Sequence, residues 1–201
     1  MFSSPLVVWP FAQSTLRIKK FTGGAKSLES APSPHRIYVP VTTRLVPYEQ
    51  LDSHQHARLL ELEVLPGQKA FSGDIHGALY TLDNAPRGAI RGFALLSEEW
   101  PVAFLLLKRP PCLPAWADAD SASLHALQVD RRHQGRGFGQ ACLQAVPEAA
   151  RQAWPELKGL TLAVDSDNQP ALRLYRKLGW VENGEACKGR IGYERRMALA
   201  F

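Results

Sequence analysis

The sequence predicts an α/β (α+β) fold, a mixed sheet with helices on both faces. Three observations carry that expectation. From Tyr38 onward, strand-like and helix-like runs succeed one another in the order β-α-α-β-β-β-α-β-α-β-β. Hydrophobic residues make up 45% of the 201, enough to bury one sizeable core. The longest apolar run, Val102 to Leu107, falls far short of the roughly 20 residues that a membrane-spanning helix requires. No membrane partner is therefore expected.

The elements follow in order. YVPVTTRLV, residues 38–46, alternates in the manner of a strand. The stretch PYEQLDSHQHARLLELEVL opens at Pro47 and is predicted to be helical, and a second helical stretch, GQKAFSGDIHGALYTL, follows Pro66. Residues 89–96 and 102–107 read as two strands joined by SEEWP, a hairpin, and residues 108–120 form a Pro-rich loop. A strand over 122–129, a helix over 137–153, a strand over 160–164 and a helix over 169–178 come next. Two strands, 180–186 and 191–199, close the chain. Pro147 interrupts the 137–153 helix, where a proline kinks the chain at about 3 kcal/mol unless it is accommodated.

Residues 1–37 show no sustained period. They read as a basic leader outside the fold, either a targeting segment or residues upstream of the true start, with the catalytic or binding domain over 38–201. The formal net charge is +5. The leader holds five basic residues (Arg17, Lys19, Lys20, Lys26, Arg36) and one acid (Glu29), which leaves 19 basic against 18 acidic residues after it. A nearly neutral domain offers no broad basic face, so nucleic acid is not an expected partner. Cys112, Cys142 and Cys187 are odd in number and lack C-x-x-C spacing. Neither disulfides nor a bound metal is expected, and a reducing, cytoplasmic compartment fits.

Chemistry concentrates in LHALQVDRRHQGRGFG, Leu124 to Gly139. Gly135, Gly137 and Gly139 let the backbone turn sharply and approach a bulky ligand. The unpaired N–H groups of the following helix point into that turn with the positive end of the helix dipole, so a phosphate is a natural occupant. A P-loop would need Gly-Lys-Ser/Thr, and a dinucleotide fingerprint would need G-x-G-x-x-G where this chain has G-x-G-x-G. The same letters also fit a plain strand-to-helix turn with surface arginines. Further on, Ala171, Leu174, Tyr175 and Leu178 share one helix face. Asp167 or Asn168 can cap that helix, and Gly179 suits its end. Taken alone, Tyr175 is a core aromatic.

Val129-Asp130 with Gln134 to Gly139 resembles the Q/R-x-x-G-x-G/A motif of the GNAT superfamily of N-acetyltransferases. NQPALRLYRKLGW, Asn168 to Trp180, resembles the same family's N-x-x-A-x-x-L-Y-x-K-x-G-F motif. The resemblance spans residues 38–201. It implies a largely antiparallel GNAT-type sheet of six to seven strands, splayed at the cofactor site, and acetyl-CoA as co-substrate. It further implies that Leu127, Gln128 and Val129 on the fourth strand pair with the pantetheine arm. Gln134, Gly135, Arg136, Gly137, Phe138 and Gly139 would hold the pyrophosphate, with Arg131, Arg132 or Arg136 near the adenosine phosphates. Asn168 would lie beside the cofactor, and Tyr175 would protonate the departing thiolate.

The implied reaction moves an acetyl group to a primary amine of a small molecule or peptide, in a monomer or homodimer. Freeing an ammonium of pKa about 10.4 at pH 7 costs roughly 4–5 kcal/mol, so a base is required. Where similar enzymes carry a glutamate base, eleven residues before Gln134, this chain has Ser123. His125 shares its strand face by alternation and has an ordinary pKa suited to proton transfer near neutrality. Glu61, Glu63 or water are the other candidates. Leu62 to Gln68 resembles the matching region of polyamine-type members, and Glu61, Glu63 and Asp74 could attract a cationic amine. A CoA-binding regulatory module without turnover is the competing reading, prompted by Ser123.

Overall fold

The computed structural model describes residues 42–189 and 192–201. The expected leader, the first residues of the 38–46 strand and the start of the 191–199 strand lie outside the described residues.

Among the described residues, eight strands form one sheet in the order β1-β2-β3-β4-β5-β8-β6, with β7 paired to β8. The strands are β1 Thr43–Pro47, β2 Ile90–Ser97, β3 Trp100–Lys108, β4 Ser121–Val129, β5 Gly159–Asp165, β6 Val181–Glu182, β7 Cys187–Lys188 and β8 Tyr193–Ala200. All pairings are antiparallel except that of β4 with β5. The helices are α1 Ser53–Leu59, α2 Lys69–Ser72, α3 Ile75–Asp83, α4 Phe138–Ala153 and α5 Gln169–Lys177. This is the mixed, mostly antiparallel α/β architecture that the motif resemblance implies, with eight strands in place of six to seven because the two-residue β6 and β7 both pair with β8.

β3 is buried on both faces. Leu105 and Leu107 join the core under α4 and α5, while Phe104 and Leu106 join the core under α1 and α3. Strict alternation on a central strand thus builds both halves of the interior. α4 stays helical through Pro147, with Val146 and Ala150 buried on either side.

Three expectations change in detail. The helical stretch from Pro47 shortens to a 3-10 turn, Tyr48–Gln50, followed by α1, whose start is fixed by a capping box between Asp52 and Gln55. The stretch after Pro66 breaks into a 3-10 turn, α2 and α3, because Gly73 adopts φ +71° and Asp74 caps a new helix. The 180–186 strand shrinks to β6, with Gly184 at φ +87° turning the chain toward β7. Among the described residues no helix is long and apolar enough to cross a membrane. All three cysteines are unpaired, and burial pushes the Cys142 thiol up to about 12. It packs as a small apolar side chain.

Candidate active site

The site is built around one irregularity in β4. Leu106 of β3 pairs with His125 and Phe104 pairs with Gln128, so Leu105 alone faces both Ala126 and Leu127. This is a β-bulge, and Ala126 adopts φ +49° to make it. Before the bulge, Ala122 and Leu124 face the α4–α5 core. After it, Leu127 and Val129 do, while Ala126 packs on the opposite face. Simple alternation along 122–129 therefore fails at Ala126.

β4 and β5 pair only from Ser121 to Ser123. Beyond that point the strands part, and a groove of about 680 Å³ opens along the bulged end of β4. Leu127, Gln128 and Val129 line it, together with Gln134, Gly135, Gly137, Phe138, Gly139, Asn168 and Tyr175. The turn between β4 and α4 bends through Gly135 at φ +74° and Gly137 at φ +87°. Gly137 is the N-cap of α4 and contributes no capping side chain. The first-turn amides of α4 are thus left for an acceptor from the groove.

The turn is braced from behind. Asp130 is 1% exposed and accepts hydrogen bonds from the Arg132 amide, Nε and guanidinium at 2.6–2.9 Å. Burial pushes the Asp130 carboxyl up, but these bonds outweigh it and hold it below the ordinary carboxylate range. Arg131 pairs with Glu63 at 2.8 Å. Arg136 leans over the Phe138 ring at 5.3 Å and donates to Nδ1 of His133. Its guanidinium lies in a separate depression with Arg58 and Trp100, outside the groove lining. Gln134 Nε2 donates to the Val129 carbonyl at 2.9 Å and to Gln68 Oε1 at 2.8 Å.

A second cavity of about 310 Å³ lies beside the first and shares Phe71, Ser72, Leu127, Asn168 and Tyr175 with it. It also takes in His125, Asp165 and Glu194. Tyr175 is 8% exposed and its ring tilts against Trp180 at 5.7 Å. Burial pushes its phenol up to about 12, so it stays protonated throughout the physiological range. Asn168 Oδ1 caps α5 through the Ala171 amide.

His125 Nε2 sits 2.8 Å from Ser123 Oγ, so the two side chains do share a face. Burial, with a smaller contribution from Lys108, pushes this imidazole down to about 4. A near-neutral titration, expected for an ordinary histidine, is replaced by an imidazole that is neutral at physiological pH. The acids considered from sequence lie elsewhere. Glu61 pairs with Arg58 at 2.7 Å, Glu63 with Arg131, and Asp74 caps α3 through the Gly77 amide. None of the three lines either cavity.

Sequence reasoning missed Gln68, Phe71 and Ser72 on the groove wall and the carboxylates Asp165 and Glu194. Asp165 and Glu194 are neighbours only because β5 and β8 pair in the register that sets them opposite one another. Gln68 had a faint signal in the Leu62–Gln68 resemblance. Phe71 and Ser72 had none.

A split parallel strand pair beside a helix with uncapped amides is the arrangement that the motif resemblance implies, and comparison with known proteins makes the family specific. The acetyltransferase (GNAT) family profile matches residues 47–180, and the chain belongs to that family. A mycothiol acetyltransferase of Brachybacterium faecium is 30% identical over 177 residues, covering 84% of this chain and 49% of that protein. The chain therefore spans about half the length of that curated relative. Among solved structures, aminoglycoside acetyltransferase AAC(6')-Ib in complex with coenzyme A superposes with a TM-score of 0.63 at 15% identity, over 79% of this chain and 95% of the other. Spermidine N-acetyltransferase of Vibrio cholerae, in complex with CoA and spermine, superposes with a TM-score of 0.54 at 20% identity, over 79% and 95%.

Proposed function

We propose that this chain transfers an acetyl group from acetyl-CoA to a primary amine of a small molecule or peptide, with both substrates bound together. The observation that carries this reading is the meeting of two cavities at Tyr175, one walled by backbone and apolar groups and one by titratable side chains. The groove fits the co-substrate. Its uncapped α4 amides suit a pyrophosphate, and the β4 edge beyond Ser123 is free of β5 to pair with an extended amide-bearing arm. When bound, acetyl-CoA supplies an activated thioester: the acceptor nitrogen bonds to its carbonyl carbon as the carbon–sulfur bond breaks and CoA leaves as the thiol.

The residues divide the work. Leu127, at the bulge, offers its amide to the carbonyl oxygen where negative charge develops. Tyr175 remains protonated and donates to the leaving sulfur. A phenol near 12 is a weaker acid than an ordinary thiol near about 8.5, so full proton transfer depends on a dry groove that raises the thiol as well, and the phenolate regains its proton from solvent once CoA departs. Asp165 and Glu194 supply negative charge where the amine enters. His125, its Nε2 held by Ser123, accepts the proton through Nδ1 after nitrogen has bonded to carbon, when that nitrogen is far more acidic than a free ammonium. An imidazole near 4 is too weak to deprotonate the free ammonium, so an ammonium drawn in by Asp165 and Glu194 gives its proton to solvent before the nitrogen attacks. Three unpaired cysteines support a reducing, cytoplasmic setting.

Free-thiol release from acetyl-CoA across a panel of polyamines, aminosugars, amino acids and peptides tests the proposal. At least one amine should accelerate release well above hydrolysis. Tight acetyl-CoA binding with no acceleration by any amine would instead identify a CoA-binding module with little turnover.

A further inference from the structure

Gln128 stands out among the groove residues. It is 1% exposed and follows Leu127 directly, with its side chain turned from the α4–α5 face toward α2. Its Nε2 donates to the carbonyl of Ser72, the last residue of α2, at 3.2 Å. Its Oε1 is buried with no partner among the described residues. A buried amide oxygen left without a partner is destabilising, so packing alone does not account for glutamine at this position.

The segment that Gln128 reaches forms a wall common to both cavities. Phe71 and Ser72 line the groove and the acceptor cavity alike. Phe71 is 44% exposed, too open to be held by core packing. α2 has only four residues, and Gly73 at φ +71° separates it from α3. Its other end is tied to the phosphate turn by reciprocal amide bonds between Gln68 and Gln134, at 2.8 and 3.2 Å. A wall this short takes its position from its tethers, and Gln128 is the tether next to the reacting centre.

We propose that Gln128 is a positioning residue: by holding the Ser72 carbonyl it fixes Phe71 at the junction and so sets the width of the acceptor cavity. The inference rests on the acetyltransferase reading above, and its test has one arm that does not. Gln128→Met keeps the length of the side chain and removes both the donor and the orphaned oxygen, so the variant should fold with an unchanged Tm. The acceptor KM should rise about five- to tenfold and the acetyl-CoA KM by clearly less, because the turn end of the groove keeps its own tether between Gln68 and Gln134. Trypsin should cut after the exposed Lys69 several times faster than in the wild type, because the wall is released. Gln128→Glu, which turns an anion toward the Ser72 carbonyl, should produce both effects more strongly.

Equal changes in the two KM values, or an unchanged rate of cutting at Lys69 in both folded variants, would overturn the proposal. If no amine serves the wild type, the reading of function fails, while the trypsin arm still decides whether the latch exists.

Discussion

The two cavities meet at one wall but are built in different ways. The turn end of the groove is made by a single local motif, while its walls take in Phe71 and Ser72 of α2 and Tyr175 of α5. Strand, turn and helix follow one another from Leu124 to Gly139, and every special conformation in the turn falls on a glycine. The acceptor cavity is assembled from β4, α2, β5, α5 and β8, with His125 and Glu194 contributed by strands far apart in the chain. The groove relies on backbone amides and apolar side chains, and the acceptor cavity on titratable ones. On the proposed function, the co-substrate is served by the local device, while acceptor choice falls to residues that only the topology brings together.

That contrast predicts a hierarchy of damage. The largest effect should come from Gly137→Asp. A Cβ here meets no atom within 4 Å, so the variant folds, at a backbone cost of about 1–2 kcal/mol for a side chain at positive φ. The carboxylate would repel a phosphate from the α4 amides. Acetyl-CoA at a hundredfold over Kd should stabilise the wild type by about 2.7 kcal/mol and this variant not at all, as read by thermal shift. A full shift in the variant would move the cofactor out of the turn.

Tyr175→Phe should come next, lowering kcat about a hundredfold with little change in acetyl-CoA affinity. Because the phenol lies near 12, the loss should be uniform between pH 6 and 10. An unchanged kcat would reduce Tyr175 to packing against Trp180.

The remaining effect concerns stability rather than rate. With the His125 imidazole at about 4 in the fold and about 6.5 unfolded, the unfolded chain binds more protons between those values. Stability should therefore be fully present above about 6.5 and fall as pH drops toward 4, by on the order of 3 kcal/mol. Urea midpoints of wild type and His125→Asn across this window should diverge, with the wild type falling more steeply. Parallel curves would show that His125 titrates normally.

The same contrast explains what could be read from the letters. Element order along the chain, α4, α5 and the glycine turn were legible because hydrophobic period and glycine placement are local signals. Gly73 and Gly184 also mark breaks, but continuous helix and strand patterns on either side masked them. The bulge had no marker at all, since an alanine, not a glycine, takes the positive φ at residue 126. His125 was placed on the correct face with Ser123, yet its basicity was misjudged, because burial and Lys108 are properties of the packed fold. Asp165 and Glu194 became visible only with the β5–β8 register.

The central claim is that the glycine turn delivers the co-substrate's sulfur to the wall shared by the two cavities. A crystal structure with coenzyme A tests it most directly. The account expects the pyrophosphate on the amides between Gly135 and Gly139, the pantetheine arm along Leu127 to Val129, and the sulfur within roughly 3.5 Å of the Tyr175 hydroxyl. A cofactor seated in the groove with its sulfur pointing away from Tyr175, or seated outside the groove, would contradict it.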